Sequence, residues 1–220
     1  MKKLITLAVC IFSCVYFLEA QFPKGSIFIA TTTDLTGGLY NNLLTGTGNS
    51  FGWSFISSYS KSGSSTSDKI KERAFNLAPR VGYMIIDNLV GGLHVSLWCY
   101  SSKDTDYTDK YSSFTIGPFV RYYIIATELG NFTIMPFAEA KIIFGNLVEK
   151  YSSTSYDEKY TNGLTIWGID GGASAIITDH ISLDLIVGYK KYVTNVKDEN
   201  YKDICNVFGI GLGLTVIISK

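Results

Sequence analysis

Val207-Phe208-Gly209-Ile210-Gly211-Leu212-Gly213-Leu214-Thr215-Val216-Ile217-Ile218, near the carboxyl end, puts Phe208, Ile210, Leu212, Leu214, Val216 and Ile218 on one face of a β-strand. Gly209, Gly211, Gly213 and Thr215 fall on the other. Strand side chains alternate with a period of two, so one surface is apolar along its length and the opposite one is nearly bare backbone. A soluble sandwich could bury such a face as core. The pattern recurs along the chain and is joined to an export signal, which favours a strand that turns its apolar side to lipid and its small side to a crowded barrel interior.

The amino terminus carries that signal. Met1-Lys2-Lys3 is a basic head, Leu4 to Leu18 is almost unbroken apolar sequence, and Leu18-Glu19-Ala20 ends on a small residue. Residues 1–20 therefore read as a cleaved signal peptide and residues 21–220 as the mature barrel domain. As a membrane anchor the run is short, about 15 residues where a helical span needs about 20. Lipid attachment at Cys14 fits poorly, because Ile11-Phe12-Ser13 lacks the usual small residues and the apolar run continues past it.

Net charge is zero over 220 residues, which offers no field for nucleic acid and suits one domain. Beyond residue 20 no apolar stretch is long enough for a membrane helix. A membrane crossing must then use strands, and only a closed barrel satisfies their backbone there. Cys10 and Cys14 leave with the signal. Cys99 and Cys205 could pair in an oxidising compartment but read more simply as small apolar residues on separate strands.

Two kinds of connection alternate. Asp87-Asn88-Leu89, Thr127 to Asn131 and Thr178-Asp179-His180 are short, whereas residues 60–72, 101–111, 147–162 and 194–203 are long and rich in Ser, Lys, Asp and Tyr. Short turns at one end and long loops at the other suit a transmembrane barrel with its turns in the periplasm. Strands are expected at about 25–33, 74–86, 89–100, 112–125, 132–145, 163–177, 181–192 and 205–218, an all-β, eight-stranded antiparallel barrel. Phe51 to Ile56 also alternates. A ninth crossing would put the amino terminus on the wrong side, so that piece reads as an extracellular extension of the first hairpin; alternatively it is the true first strand, with 25–33 left in the periplasm.

Phe75-Asn76-Leu77-Ala78-Pro79-Arg80-Val81-Gly82-Tyr83, then Ile86-Asp87-Asn88-Leu89 and Ile116-Gly117-Pro118-Phe119-Val120-Arg121-Tyr122-Tyr123, resemble the small outer-membrane β-barrel domain family of the outer-membrane-protein-A-like porin superfamily. The resemblance runs from about residue 24 to the end. It implies an eight-stranded barrel in a Gram-negative outer membrane, in a family mostly without assigned biochemical activity. Ser219-Lys220 departs from the terminal aromatic that barrel assembly machinery favours.

Face assignment then locates the charges. On the strand from residue 112, Phe114, Ile116, Pro118, Val120, Tyr122 and Ile124 share the lipid face, and Thr115, Gly117, Phe119, Arg121 and Tyr123 the other. The same rule sends Arg80, Glu139, Lys141, Asp170, Asp184 and His94 inward, because a charge facing hydrocarbon costs about 2–4 kcal/mol at the midplane. Arg80, Arg121 and Lys141 balance Glu139, Asp170 and Asp184, which suggests a lumen charge network. It is either an ion-selective constriction or a paired polar plug. Eight strands enclose an interior that side chains fill, with Phe119, Phe137, Trp98 and Tyr123 adding bulk and Gly209, Gly211 and Gly213 making room, so the plug is favoured.

No catalytic, cofactor or metal site is expected, and the chain does not read as an enzyme. His94 lies mid-strand and reads as a hydrogen-bonded interior group, His180 sits in a turn, and the two cannot share a site. No Cys/His cluster has metal-ligand spacing, and Gly209 to Gly213 lacks the following helix of a phosphate loop. Asp104, Asp106 and Asp109 read as a solvated loop before a weak cation site. The expected role is structural or surface-interactive in the outer membrane, with membrane lipid and the assembly machinery as partners and no nucleic acid; a small ion or solute channel and a soluble lipocalin-like ligand-binding barrel are the alternatives.

Overall fold

The computed structural model describes residues 22–34, 52–58, 61–62, 65–66, 70–124, 126–129, 132–153, 155–196 and 201–219. The expected signal peptide at 1–20, with Cys10 and Cys14, lies outside them.

Nearly all of the described chain is strand. In order these are β1 (Ile27–Asp34), β2 (Gly52–Ser58), β3 (Lys61–Ser62), β4 (Ser65–Thr66), β5 (Ile70–Leu77), β6 (Arg80–Ile86), β7 (Leu89–Lys103), β8 (Tyr107–Tyr123), β9 (Thr127–Leu129), β10 (Phe132–Ser153), β11 (Asp157–Thr178), β12 (Ile181–Val196) and β13 (Tyr201–Ile218). Antiparallel pairing runs β7-β6-β1-β13-β12-β11-β10-β8 and returns from β8 to β7. That ring is an eight-stranded antiparallel barrel.

Local chemistry explains the irregular pieces. β5 and β6 form one wall strand interrupted at Ala78-Pro79, since proline has no N–H for the ladder. The Pro79 carbonyl still accepts from Val95 N–H at 3.0 Å, and Leu77 faces Leu97 and Arg80 faces His94 on β7. β1 pairs with β13 over its full length and with β6 from Ile27 to Ala30. β2 runs in the same direction and pairs with β5 from Gly52 to Ser58. β2, which holds residues 52–56 of the alternating segment, therefore extends the first hairpin at its outer end, and both it and β1 belong to the wall; Phe51 lies outside the described residues.

At one end the connections are tight. Asp87-Asn88 joins β6 to β7 with Asn88 at φ 62°, a left-handed conformation that asparagine tolerates. Asp179-His180 joins β11 to β12, and the His180 ring Nδ1 lies 3.1 Å from the Ile217 carbonyl. The expected turn at 127–131 is narrower, because β9 pairs Thr127 to Leu129 against Phe132 to Ile134.

The other end differs more from expectation. Residues 101–111 and 147–162, read from sequence as loops, are mostly ladder: β7 and β8 pair up to Lys103 and Thr108, and β10 and β11 up to Ser152 and Asp157. Their Tyr and Thr content favours extended backbone despite its polarity. The wall thus continues as tall hairpins well past its apolar part.

Outward and inward sides follow the pleat. Leu212, Leu214, Ile116, Val120, Phe144, Ile169, Leu183 and Leu185 are each at least two-fifths exposed. Thr215, Arg121, Ile143 and Asp184 beside them are buried. Two apolar clusters fill the interior. One holds Phe28, Met84, Val90, Phe119, Tyr123, Met135 and Phe137, and is joined by Phe22 from the segment before β1. The other holds Ile143, Leu164, Ile166 and Tyr192.

Candidate functional site

Between those clusters lies a layer of charge. Register brings its members together. Arg121 on β8 stands directly opposite Glu139 on β10, and Glu139 stands opposite Asp170 on β11. The second juxtaposition sets two carboxylates side by side, which is unfavourable across a ladder. Lys141, two residues along β10 on the same face, bridges them: its Nζ is 3.5 Å from Glu139 Oε1 and donates to Asp170 Oδ2.

The arginines span the bore. Arg80 Nη1, from β6, reaches Glu139 Oε1 at 2.8 Å and Oε2 at 2.7 Å. Arg121 Nε donates to Glu139 Oε2 at 2.8 Å, and its Nη1 donates to Asp184 Oδ2 on β12 at 2.7 Å. Asp184 is finished by hydroxyls: Ser174 at 2.7 Å, Ser182 at 3.2 Å and Thr215 at 2.9 Å. Arg80, Arg121, Lys141, Glu139, Asp170 and Asp184 thus form one connected network, each less than a tenth exposed.

Aromatic and small residues fix its geometry. The Arg121 guanidinium lies 4.0 Å from the Phe137 ring centroid and 5.2 Å from that of Phe28, distances at which a cation is attracted to the ring face. Its Nη1 also meets the Tyr123 hydroxyl at 3.2 Å. A Cβ on Gly188 would lie 1.8 Å from Asp170 Oδ1, and one on Gly213 would lie 3.1 Å from Asp184 Cβ. Those glycines make the space in which the carboxylates sit.

Ser174 and Ser182 are network members that charge reasoning did not single out. Their inward parity on β11 and β12, shared with Asp170 and Asp184, was the available signal. Lys190 is inward by the same parity. His94 is buried mid-strand, but neither ring nitrogen has a protein partner among the described residues, which corrects the expected hydrogen-bonded group. Cys99 and Cys205 are free thiols. Asp104 Oδ1 accepts from Thr105 N–H at 2.7 Å, and no group of three metal-ligating side chains occurs among the described residues.

Chemically the layer is an electrostatic clamp. Glu139 and Asp184 are held by cations and hydroxyls drawn from several strands across the bore, Asp170 by Lys141 of the neighbouring strand, and apolar clusters lie on either side.

No family model and no curated protein matches the chain. Among solved structures it is similar to the N-terminal β-barrel domain of Pseudomonas aeruginosa OprF, at 11% identity, 89% coverage of this chain, 98% of that chain and a TM-score of 0.36. Neisserial surface protein A shares 14% identity over 90% of this chain and 95% of that one, with a TM-score of 0.38. The attachment invasion locus protein Ail of Yersinia pestis shares 12% over 89% and 99%, with a TM-score of 0.37. The architecture of the present chain is read from its own closed ring of pairings.

Proposed function

We propose that this chain is an exported outer-membrane barrel of the outer-membrane-protein-A-like kind, with a plugged lumen and a structural or surface-interaction role. One observation carries the membrane reading: outward-facing apolar residues on each of the eight strands of the closed ring. They include Ile29 on β1, Val81 on β6, Leu93 on β7, Ile116 on β8, Phe144 on β10, Ile169 on β11, Leu185 on β12 and Leu212 on β13, all at least 40% exposed. A monomer in water rarely shows contiguous apolar patches beyond a few hundred Å². From Phe114 to Ile124, strand rise and a tilt of about 40° give a band about 25 Å tall, the thickness such a belt needs.

The plug reading rests on the charge network and the apolar clusters beside it. The short-turn end takes the periplasmic side and the tall hairpins the exterior, a reading supported by the contrast in connection length and by the export signal expected at 1–20. Fractionation of Gram-negative cells expressing the full chain tests this proposal. The protein should co-sediment with outer membranes, lack residues 1–20, and migrate faster on a gel before heating than after. Recovery of folded protein in the aqueous phase without detergent would overturn it in favour of a soluble ligand-binding barrel.

A further inference from the structure

The tall hairpins are two-faced. Their inner side carries Glu72, Asp109, Glu149 and Glu158 among tyrosines. Tyr100 donates to Glu72 at 3.0 Å, Tyr151 to Glu149 at 2.8 Å and Tyr160 to Glu158 at 2.7 Å. The outer side carries Lys71, Arg73, Lys103, Lys110, Lys150 and Lys159. Ladder register sets Lys71 opposite Lys103, Lys110 opposite Lys150, and Lys150 opposite Lys159. Like charges directly opposite one another are destabilising, and Glu72, Asp109, Glu149 and Glu158 point to the other side of the wall, which leaves Asp157 beside Lys159 as the acid of these strands on the outer side, with no ion pair to a lysine among the described residues. On the outer side Asp157 is engaged by Ser152 at 2.8 Å.

Below this row is a hollow of about 490 Å³ whose lining includes Arg73, Phe75, Cys99, Lys110, Ser112 and Lys150. Alternation turns these six side chains outward. Its apolar side, Phe75, continues the belt, since Phe75 is 45% exposed and faces the same way as Leu97 and Phe114. Arg73 precedes Phe75 by two residues and Lys110 precedes Phe114 by four, each toward the hairpin end, so the cations stand about 5–10 Å above the apolar belt. A lipid headgroup layer is about 5–8 Å deep on each side of the core, within reach of these long side chains.

We propose that this hollow holds the phosphate-bearing headgroup of an anionic lipid in the leaflet around the barrel, with Lys110 and Lys150 as its principal charge partners and Phe75 against the acyl chain. Charge complementarity and the apolar floor together select an amphiphile over a free anion. The inference rests on the membrane reading above.

The test uses the full mature chain refolded into phosphatidylcholine vesicles containing spin-labelled phosphatidic acid or spin-labelled phosphatidylcholine, with the motionally restricted fraction as readout. The parent should select phosphatidic acid. Lys110→Gln and Lys150→Gln should each reduce that preference about fivefold, while Lys202→Gln, on the outward face of β13, should leave it unchanged. Inorganic phosphate should not compete. Equal preference in the Lys110→Gln/Lys150→Gln double variant, or competition by inorganic phosphate that marks a free-anion site, would overturn the headgroup assignment and leave the membrane reading intact. Failure of the parent to insert into either vesicle would sink the membrane reading and this inference with it.

Discussion

The charges inside this barrel and those on its outer hairpins follow opposite rules. Within the lumen, Glu139 is met by Arg80, Arg121 and Lys141, and Asp184 by Arg121 and three hydroxyls. On the outer wall Lys110 and Lys150 stand opposite each other, with no ion pair to a carboxylate among the described residues. Burial accounts for the difference. An unpaired ion in the interior costs several kcal/mol, so the interior must supply its own counter-charge, whereas an exposed lysine can leave that to its surroundings.

The contrast breaks most visibly inside. Arg121→Ala leaves Asp184 and part of Glu139 without a cation and should destabilise the fold by about 3–5 kcal/mol, measured by denaturant unfolding in detergent. Removing both members of the Lys141–Asp170 pair, as Lys141→Met with Asp170→Asn, should cost less than the sum of the single changes. Strict additivity would show that the contacts are not coupled.

Next comes the outward apolar face, which the proposal sets against lipid. Leu212→Arg should lower stability in bilayers by about 2–4 kcal/mol. Thr215→Arg, on the buried face of the same strand, should escape that lipid penalty while crowding the lumen. Equal behaviour of the two in vesicles and in detergent would refute the face assignment.

A smaller loss is expected where a carboxylate fills a glycine's space. Gly188→Ala forces Asp170 off its position against Lys141 and should cost about 1–3 kcal/mol by the same unfolding measurement. Ala added at the outward Gly163, where the nearest neighbour of a Cβ is 3.9 Å away, should be close to neutral.

The mildest effect belongs to the hairpins. Burial and the hydrogen bond to Glu72 push the Tyr100 phenol up to about 12. A group whose folded value is raised contributes fully below its free value near 10 and loses that contribution as pH climbs through the folded one. Proteolytic cutting between residues 101 and 111 should therefore rise between about pH 10 and pH 12 in the parent and be less pH-dependent in Tyr100→Phe. Identical profiles would remove Tyr100 from the account.

The sequence made the wall and its faces legible because a period-two pattern needs no long-range knowledge: Phe208 to Ile218 and Phe114 to Ile124 could each be assigned alone. The inward positions of Arg121, Glu139 and Asp184 followed from the same parity. Their connections did not, since Arg80 meets Glu139 and Arg121 meets Asp184 across the bore, where strand register and curvature decide. Ser174 and Ser182 escaped notice because a buried hydroxyl leaves no charge to balance. The hairpins at 101–111 and 147–162 read as loops in the sequence because their polarity masks the strand preference of Tyr and Thr. Their opposite-sign faces emerge only once they are drawn as strands.

Planar-bilayer recording on refolded protein tests the plugged barrel most directly. The paired network and the apolar clusters beside it predict insertion without steady single-channel openings, and an Arg121→Ala variant that loses stability before it gains conductance. Reproducible openings in the parent, with ion preference altered by Arg121→Ala and stability unchanged, would contradict the account and make the charged layer a selectivity constriction.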